Sequence, residues 1–194
     1  MPAKAVFLDR DGVINELIYH TEAGIIDSPF TVEQFRLLPG AAAAIHQLNG
    51  AGYRVLVVSN QPGIAKEHFS PETLRKMTQK MRRLLKKQNA RLDKVYYCLH
   101  HPEGSAIKYR KTCECRKPEP GMLIQASVEC NAVLSDCYMV GDNLNDILAG
   151  QRAGCRTIFI GKFKCETCNL MQELNVRPGY IVKDLQSAVK IILG

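Results

Sequence analysis

The sequence predicts an α/β protein in which a parallel, doubly wound sheet lies between two layers of helices. Two observations predict this three-layer fold. Short apolar runs rich in β-branched residues alternate with longer segments of helical periodicity. Several of these runs stop abruptly at glycine or at polar residues, which is typical of buried parallel strands. At 194 residues, the chain is expected to form one domain, residues 1–194.

The predicted elements follow in a regular order. Strand 5–8 comes first, and the mixed polarity of residues 14–38 predicts a long loop or a small flap. Apolar periodicity, helped by capping residues, predicts helices at 41 to about 50, 71 to about 89, about 121–129, 144–153 and 185–192. Apolar β-branched runs predict strands at 54–58, 95–97, 137–140 and 157–160, with a short edge strand at 180–182. No insertion is large enough for a cap domain.

Polar side chains follow the predicted strands where each strand ends. The first strand runs into Asp9-Arg10-Asp11-Gly12, while Ser59 and Asp142 follow two later strands. Because open α/β sheets carry their chemistry at the carboxyl ends of the strands, we expect these side chains to meet. Asp146 lies one helical turn beyond Asp142, and Lys117 adds a cation. Each residue could instead cap a turn or lie on the surface, but the set favours metal-assisted phosphoryl transfer.

This ordered set resembles the haloacid dehalogenase (HAD) superfamily of phosphatases. Its four motifs are matched by Asp9-Arg10-Asp11-Gly12-Val13, by Ser59, by Lys117, and by Gly141-Asp142 with Asp146. The resemblance implies that Asp9 attacks phosphorus and becomes an aspartyl-phosphate. It implies that Asp11 protonates the leaving alkoxide and then deprotonates the attacking water. We expect desolvation beside Asp9 to keep Asp11 protonated at neutral pH.

The same resemblance implies the ligands of a magnesium ion and of the phosphoryl group. Mg²⁺ would be held by Asp9, the main-chain carbonyl of Asp11 and Asp142. Ser59 and Lys117 would hold the phosphoryl group that is transferred.

Two clusters of metal-ligating residues flank a polar insertion: Cys98-Leu99-His100 and Cys113-Glu114-Cys115. Three thiols and one imidazole complete a tetrahedral set, which predicts structural Zn²⁺. His101 could replace His100, and free buried cysteines are the alternative. Because Cys115 immediately precedes Arg116-Lys117, a metal here would fix where both cations point.

Within the superfamily, this loop is similar to two groups, the D-glycero-D-manno-heptose 1,7-bisphosphate phosphatases and the histidinol-phosphate phosphatases. The 12 residues between the ligand pairs, 101–112, resemble the heptose group, which implies removal of a 7-phosphate. By that resemblance Arg116 recognises the substrate, with Asn60 and Gln61 beside it. Asn143, another candidate substrate contact, stands where the heptose group often has lysine. Histidinol phosphate and other small phosphorylated metabolites therefore stay open as substrates.

The net charge of +7 suits an anionic partner. The helix predicted at 71–89 carries a basic face, which could meet nucleic acid or a membrane or simply be solvated. No aromatic residue interleaves its charges, which disfavours base stacking. The face comprises Arg75, Lys76, Lys80, Arg82, Arg83, Lys86 and Lys87. We expect a small sugar phosphate as the partner, rather than nucleic acid or a membrane, and a monomer.

Eight cysteines without a secretory signal favour the reducing cytoplasm. Cys165-Glu166-Thr167-Cys168 could be redox-active, half of a second metal site, or inert. Cys130 and Cys137 are interpreted as core residues.

Overall fold

The computed structural model of the protein describes residues 2–161 and 165–194. Strands and helices follow in this order: β1 (Ala5–Leu8), β2 (Ile18–His20), β3 (Ile25–Asp27), α1 (Ala41–Gly50), β4 (Arg54–Asn60), α2 (Pro71–Lys86), β5 (Lys94–Cys98), α3 (Gly121–Cys130), β6 (Tyr138–Gly141), α4 (Leu144–Ala153), β7 (Arg156–Ile160), α5 (Cys165–Glu173), β8 (Tyr180–Val182) and α6 (Leu185–Leu193). Six parallel strands form one sheet, in the order β5-β4-β1-β6-β7-β8. The predicted α/β fold is therefore confirmed.

Alternate side chains of the central strand β1 point into two different cores. Val6 and Leu8 pack on the side covered by α1, α2 and α6. Ala5 and Phe7 pack on the side covered by α3 and α4. All four side chains are fully buried, which explains why β1 has no polar residue before Asp9. This arrangement confirms the three layers.

The segment predicted as a loop or flap contains an antiparallel hairpin, β2–β3. The His20 ring stacks on Phe30 with centroids 3.6 Å apart, and Phe30 also contacts His68 at 4.4 Å. These contacts attach the hairpin to the loop that follows β4. Strands this short depend on such contacts for their stability, so their sequence pattern alone does not predict them.

The remaining differences concern element boundaries and one helix. Strand β4 is longer than predicted, because Ser59 and Asn60 still pair with β5. Helix α2 ends at Lys86 rather than near residue 89. Helix α5, within the described residues 165–194, was not predicted at all. Among the described residues, no helix combines the length and apolar character needed to cross a membrane.

Candidate active site

The carboxyl ends of β1, β4 and β6 meet around one cavity of about 300 Å³. Asp9 follows β1 directly, and its N–H donates to the carbonyl of Val140 in β6 at 3.0 Å. This bond fixes the start of the loop after β1 beside the neighbouring strand. Residues from four parts of the chain line the cavity: Asp9, Asp11, Leu17, Ile26, Asp27, Ser28, Asn60, Pro62, Arg116, Lys117, Asp142, Asn143, Asn145 and Asp146.

Lys117 joins the carboxylates on the floor of this cavity. Its Nζ lies 2.9 Å from Asp9 Oδ1 and 2.5 Å from Asp146 Oδ1, and it donates to the carbonyl of Val58 at 2.8 Å. The residue is only 3% exposed. Burial alone would lower the pKa of Lys117, but Asp146 and Asp9 outweigh burial and raise it. Lys117 is therefore a fixed positive charge.

Asn60 holds the backbone of Lys117 in place. Its side-chain Nδ2 donates to the Lys117 carbonyl at 2.9 Å, and its Oδ1 accepts from the Lys117 N–H at 3.0 Å. Paired bonds of this kind tie the end of β4 to a segment that lies 57 residues away in sequence. The amide of Asn60 is thus occupied by the chain itself.

Asp142 and Asp146 complete the acidic side of the cavity. One carboxylate oxygen from each of Asp9, Asp142 and Asp146 lies within 4.8 Å of the others, so the three could hold a metal ion. Burial, together with the negative charges of Asp9 and Asp146, raises the pKa of Asp142 to about 8. Within the described chain, the Asp142 carboxylate accepts no side-chain or main-chain hydrogen bond from another residue. A hard divalent cation fits this cluster, because carboxylate oxygens are its preferred ligands.

Gly12 makes room for this arrangement. A Cβ on Gly12 would lie 2.0 Å from Asp142 Oδ2, and the backbone here has a φ of 78°. Only glycine meets both conditions without strain.

The sequence places Asp146 in the fourth motif without predicting its partners. It caps the start of α4, where Asp146 Oδ2 accepts from the Asn143 N–H at 3.0 Å. Its other oxygen contacts Lys117, and burial raises the pKa of Asp146 to about 6. The sequence signal for Asp146 is its spacing of one helical turn from Asp142. Its pairing with Lys117 could not be predicted, because Lys117 lies in a loop that is distant in sequence.

Asp11 lies at the cavity but its carboxylate is held by neighbouring side chains. Arg10 Nη2 and Asn15 Nδ2 donate to Asp11 Oδ1 at 2.9 and 2.8 Å. Gln61 Nε2 donates to Asp11 Oδ2 at 2.7 Å. The sequence predicts that Asp11 lies beside Asp9 as a desolvated carboxyl group. In the structure Asp11 instead forms an ion pair with the buried guanidinium of Arg10.

Of the remaining predicted residues, two lie behind the cavity wall and two lie on it. Ser59 and Gln61 are almost completely buried, and Gln61 Nε2 lies 3.2 Å from Ser59 Oγ. Asn143 lies on the wall, but its side chain caps α4 by accepting from the Asn145 N–H. Arg116 also lies on the wall, and its Nη1 donates to the carbonyl of His100 at 3.2 Å.

The predicted metal ligands Cys98, His100, Cys113 and Cys115 converge at the end of β5. Their sulfur atoms are 3.2–3.6 Å apart, and His100 Nδ1 lies 3.3–3.8 Å from them. Ligands of a tetrahedral zinc ion would be about 3.8 Å apart, so the cluster could hold a metal. Burial, with Lys111 nearby, lowers the pKa of His100 and favours the neutral ring that a metal binds. His101 points elsewhere, since its Nδ1 accepts from the Glu103 N–H.

Of the cysteines outside this cluster, some lie in the core, and one has a side chain outside the described part of the structure. Cys137 is buried and Cys130 is partly buried in the core under α3. Residues 162–164 and the Cys165 side chain lie outside the described part, so the role of the Cys165–Cys168 pair stays a prediction.

Comparison with known proteins supports a phosphatase. A family model described as HAD-hydrolase-like matches residues 114–188. The D-glycero-beta-D-manno-heptose-1,7-bisphosphate 7-phosphatase of Pasteurella multocida is 36% identical over 192 residues, which is 98% of this chain and 97% of that protein. The protein of the same name from Rhodopseudomonas palustris is 41% identical over 150 residues, or 77% of this chain and 79% of that one.

A solved structure agrees with these relatives. The D,D-heptose 1,7-bisphosphate phosphatase from B. bronchiseptica, complexed with magnesium and phosphate, superposes with a TM-score of 0.80. It is 28% identical, and the match covers 98% of both chains.

Proposed function

The chain belongs to the HAD-like hydrolases, in the family of the D-glycero-beta-D-manno-heptose-1,7-bisphosphate 7-phosphatases, and from this membership we propose that it removes the 7-phosphate of that sugar bisphosphate. The observation that carries the proposal is the bridge that Lys117 makes between Asp9 and Asp146, in the cavity that Asp142 also lines. It supplies a nucleophile, a fixed cation and a cation site in one cavity.

Asp9 is proposed as the nucleophile. Its carboxylate attacks phosphorus, the bond from phosphorus to the C7 oxygen breaks, and the electron pair of that bond goes to the departing oxygen. Lys117, whose Nζ donates to Asp9 Oδ1, is proposed to stabilise the negative charge on the phosphoryl oxygens. Ser59 is proposed to donate its hydroxyl to the same group.

Asp11 is proposed to move the protons. It gives a proton to the departing C7 oxygen, and then takes one from the water that hydrolyses the aspartyl-phosphate. The second step returns Asp9 to its carboxylate and releases inorganic phosphate.

The metal of the cavity is proposed to be Mg²⁺, held by Asp9, Asp142 and the main-chain carbonyl of Asp11. When bound, it would neutralise negative charge on the phosphoryl oxygens. The fit of these residues rests on the converging carboxylates of Asp9 and Asp142. It also rests on the Asp142 carboxylate, which accepts no hydrogen bond from another residue of the described chain.

The cluster of Cys98, His100, Cys113 and Cys115 is proposed to hold structural Zn²⁺. All four positions of a tetrahedral site are filled by protein atoms, so no position is left for substrate. Its proposed role is mechanical, because Arg116 follows Cys115 directly and also bonds to the His100 carbonyl.

Substrate selection is proposed to depend on the rim of the cavity. Arg116 provides a cation for the second phosphate, Asn60 fixes the Lys117 segment, and Asn143 presents a neutral side chain. Gln61 is proposed to act through Asp11 and not by contact with the sugar. We also propose a monomer that works in the cytoplasm, where thiols stay reduced and available to a metal.

Phosphate release tests the proposal. With Mg²⁺, the protein should release one phosphate from the β-anomer of heptose 1,7-bisphosphate, faster than from the α-anomer or from histidinol phosphate. Asp9→Asn should abolish the release of phosphate while the circular dichroism spectrum is unchanged. Equal or faster turnover of histidinol phosphate would assign the site to that substrate. Salt-sensitive DNA or RNA binding without any phosphatase activity would instead implicate the basic face of α2.

A further inference from the structure

A fully buried guanidinium lies directly behind the cavity. Arg10 is 0% exposed, although its charge makes complete burial rare. Its Nε lies 3.2 Å from both Asp11 oxygens, and its Nη2 lies 2.9 Å from Asp11 Oδ1. Its Cζ lies over the rings of Phe35 and Tyr97, 6.0 and 5.6 Å from their centroids. The guanidinium can therefore occupy only a narrow range of positions.

Two further buried side chains complete the contacts of Asp11. Asn15 and Gln61 are also 0% exposed, and each donates one amide hydrogen bond to the Asp11 carboxylate. Gln61 Oε1 accepts in turn from Arg10 Nη2 at 2.9 Å. We call Arg10, Asn15 and Gln61 the Asp11 cradle. None of the three lines the cavity.

The local backbone builds this cradle. The N–H groups of Ile14 and Asn15 both donate to the Arg10 carbonyl, at 2.8 and 3.1 Å. This tight turn returns the Asn15 side chain to Asp11. Gln61, from the loop after β4, also contacts Ser59 Oγ, so the cradle links the proposed proton donor to a proposed phosphate ligand.

Stability alone is a poor explanation for the cradle. A buried ion pair gains little over apolar side chains of the same size, because both charges lose their hydration. An aspartate at the edge of a cavity could instead face water without any partner. What three fixed donors provide is a defined place and orientation for both oxygens of Asp11.

We propose that Arg10, Asn15 and Gln61 are positioning residues for proton transfer by Asp11. The inference rests on the proposed function, in which Asp11 gives its proton to the departing oxygen. That step leaves Asp11 as a carboxylate, which is the form that the donors of the cradle bind. A displaced Asp11 transfers its proton poorly even when Asp9, Lys117 and the metal ligands are intact.

The dependence on the leaving group separates this role from a general loss of structure. A sugar alkoxide leaves only with a proton, whereas p-nitrophenolate leaves readily without one. We therefore compare kcat/KM for heptose 1,7-bisphosphate with kcat/KM for p-nitrophenyl phosphate. This parameter covers the steps up to release of the alcohol and excludes the later hydrolysis of the aspartyl-phosphate.

Gln61→Met and Arg10→Lys are the variants to compare with the wild type. Gln61→Met keeps the volume but removes the three amide contacts, to Asp11, Arg10 and Ser59. Arg10→Lys keeps the charge but loses the planar fork. Each should lose about 10²-fold in kcat/KM for the sugar bisphosphate and less than about 3-fold for p-nitrophenyl phosphate. Thr157→Val, a buried polar exchange on β7 that removes a bond to the Gly179 N–H, should change neither value.

Asp11→Asn distinguishes failure of the inference from failure of the proposed function. It should show the same selective loss for the sugar bisphosphate. Suppose that Asp11→Asn shows this selective loss. If both cradle variants then lose activity equally on the two substrates, or lose activity on neither substrate, the cradle has no positioning role. If Asp11→Asn itself shows no selectivity, the proton-transfer role proposed for Asp11 is wrong. Two variants are used so that one failing to fold, as judged by circular dichroism, leaves the other decisive.

Discussion

Lys117 is the residue that keeps the carboxylates of the cavity together. Asp9 and Asp146 each lie within ion-pair distance of its ammonium group, and all three side chains are poorly accessible to water. Its place in the sequence, directly after Cys115-Arg116, indicated a cation near the site. The sequence predicted that Lys117 would lie near Asp9, but not that it would contact Asp146. That contact depends on how residues 98–115, the proposed zinc loop, position the Lys117 segment.

Substitution of Lys117 tests this arrangement at the level of one side chain. Lys117→Met should lower the free energy of unfolding without metal by about 3–5 kcal/mol, because two buried carboxylates lose their partner. Adding Asp146→Asn should recover part of this loss by removing one of the unpaired charges. Urea unfolding of the two single variants and the double variant measures the coupling.

The same exchange at an exposed position provides the control. Lys94 pairs with Glu129 but is more than half exposed, so Lys94→Met should cost about 1 kcal/mol or less. A loss at Lys117 no larger than at Lys94 would mean that the bridge does not stabilise the folded chain.

At the scale of elements, the basic face of α2 is partly occupied within the chain. Lys80 Nζ donates to the Val32 carbonyl, and Arg82 donates to the Leu92 carbonyl. Arg75 pairs with Glu72 one turn away. The Lys80 contact reaches the segment that follows the β2–β3 hairpin, so α2 supports the flap beside the cavity. This agrees with a mainly structural use of the face.

The proposed zinc loop is the element whose converging side chains the sequence indicated best. Cys98 and His100 follow an apolar run, while Cys113 and Cys115 precede Arg116, so the two pairs had to close a loop at the cavity. The sequence favoured His100 and left His101 as the alternative, since the two are neighbours and differ only in direction, and His100 is the one that joins the cluster. The end of β5 decides this, because Cys98 still pairs with Asn60 in the sheet.

Cys113→Ser tests the zinc loop. We expect the wild type to bind zinc and Cys113→Ser to lose it. Hydrogen exchange over residues 98–118 should increase in the variant, because the loop is no longer closed. The kcat/KM for the sugar bisphosphate should fall about 10–100-fold as Arg116 loses its fixed position. Metal analysis and exchange measured by mass spectrometry provide the readouts.

Cys130→Ser is the matched control, because Cys130 lies outside the cluster and its thiol donates to the Ser127 carbonyl. It should keep the metal, the exchange pattern and the activity. A wild-type protein purified without zinc, or a Cys113→Ser variant with unchanged exchange, contradicts the proposed role of the loop.

At the scale of the whole molecule, the sheet could be predicted because its strands are apolar runs that end at polar residues. Asp9, Ser59 and Asp142 all follow such runs, and parallel strands bring their ends to one edge. The contacts that the long connections between strands and helices make could not be predicted. Ile26 of the hairpin reaches the cavity, and Gln61 turns inward to Asp11, through contacts that leave no periodic signal.

The acidic cavity links the stability of the whole protein to pH and to Mg²⁺. The raised pKa of Asp142, about 8, means that its ionisation is unfavourable in the folded chain without a cation. The unfolded chain releases this proton near its ordinary pKa of 3.8, so the contribution of Asp142 to stability falls as the pH rises from about 4 to about 8. Asp146, raised to about 6, acts in the same direction.

Mg²⁺ should therefore stabilise the protein more at pH 8 than at pH 6, because a cation binds the ionised carboxylates and protons compete with it at lower pH. Thermal unfolding of the zinc-loaded protein, with and without Mg²⁺ at both values of pH, gives the two increments in Tm. In Asp142→Asn the increment should vanish, and the metal-free variant should be more stable than the wild type at pH 8. Glu119→Gln, which removes an exposed carboxylate paired with Arg152, should leave the increments unchanged. An increment equal at both values of pH, or one that persists in Asp142→Asn, would show that the cation binds elsewhere than between Asp9 and Asp142.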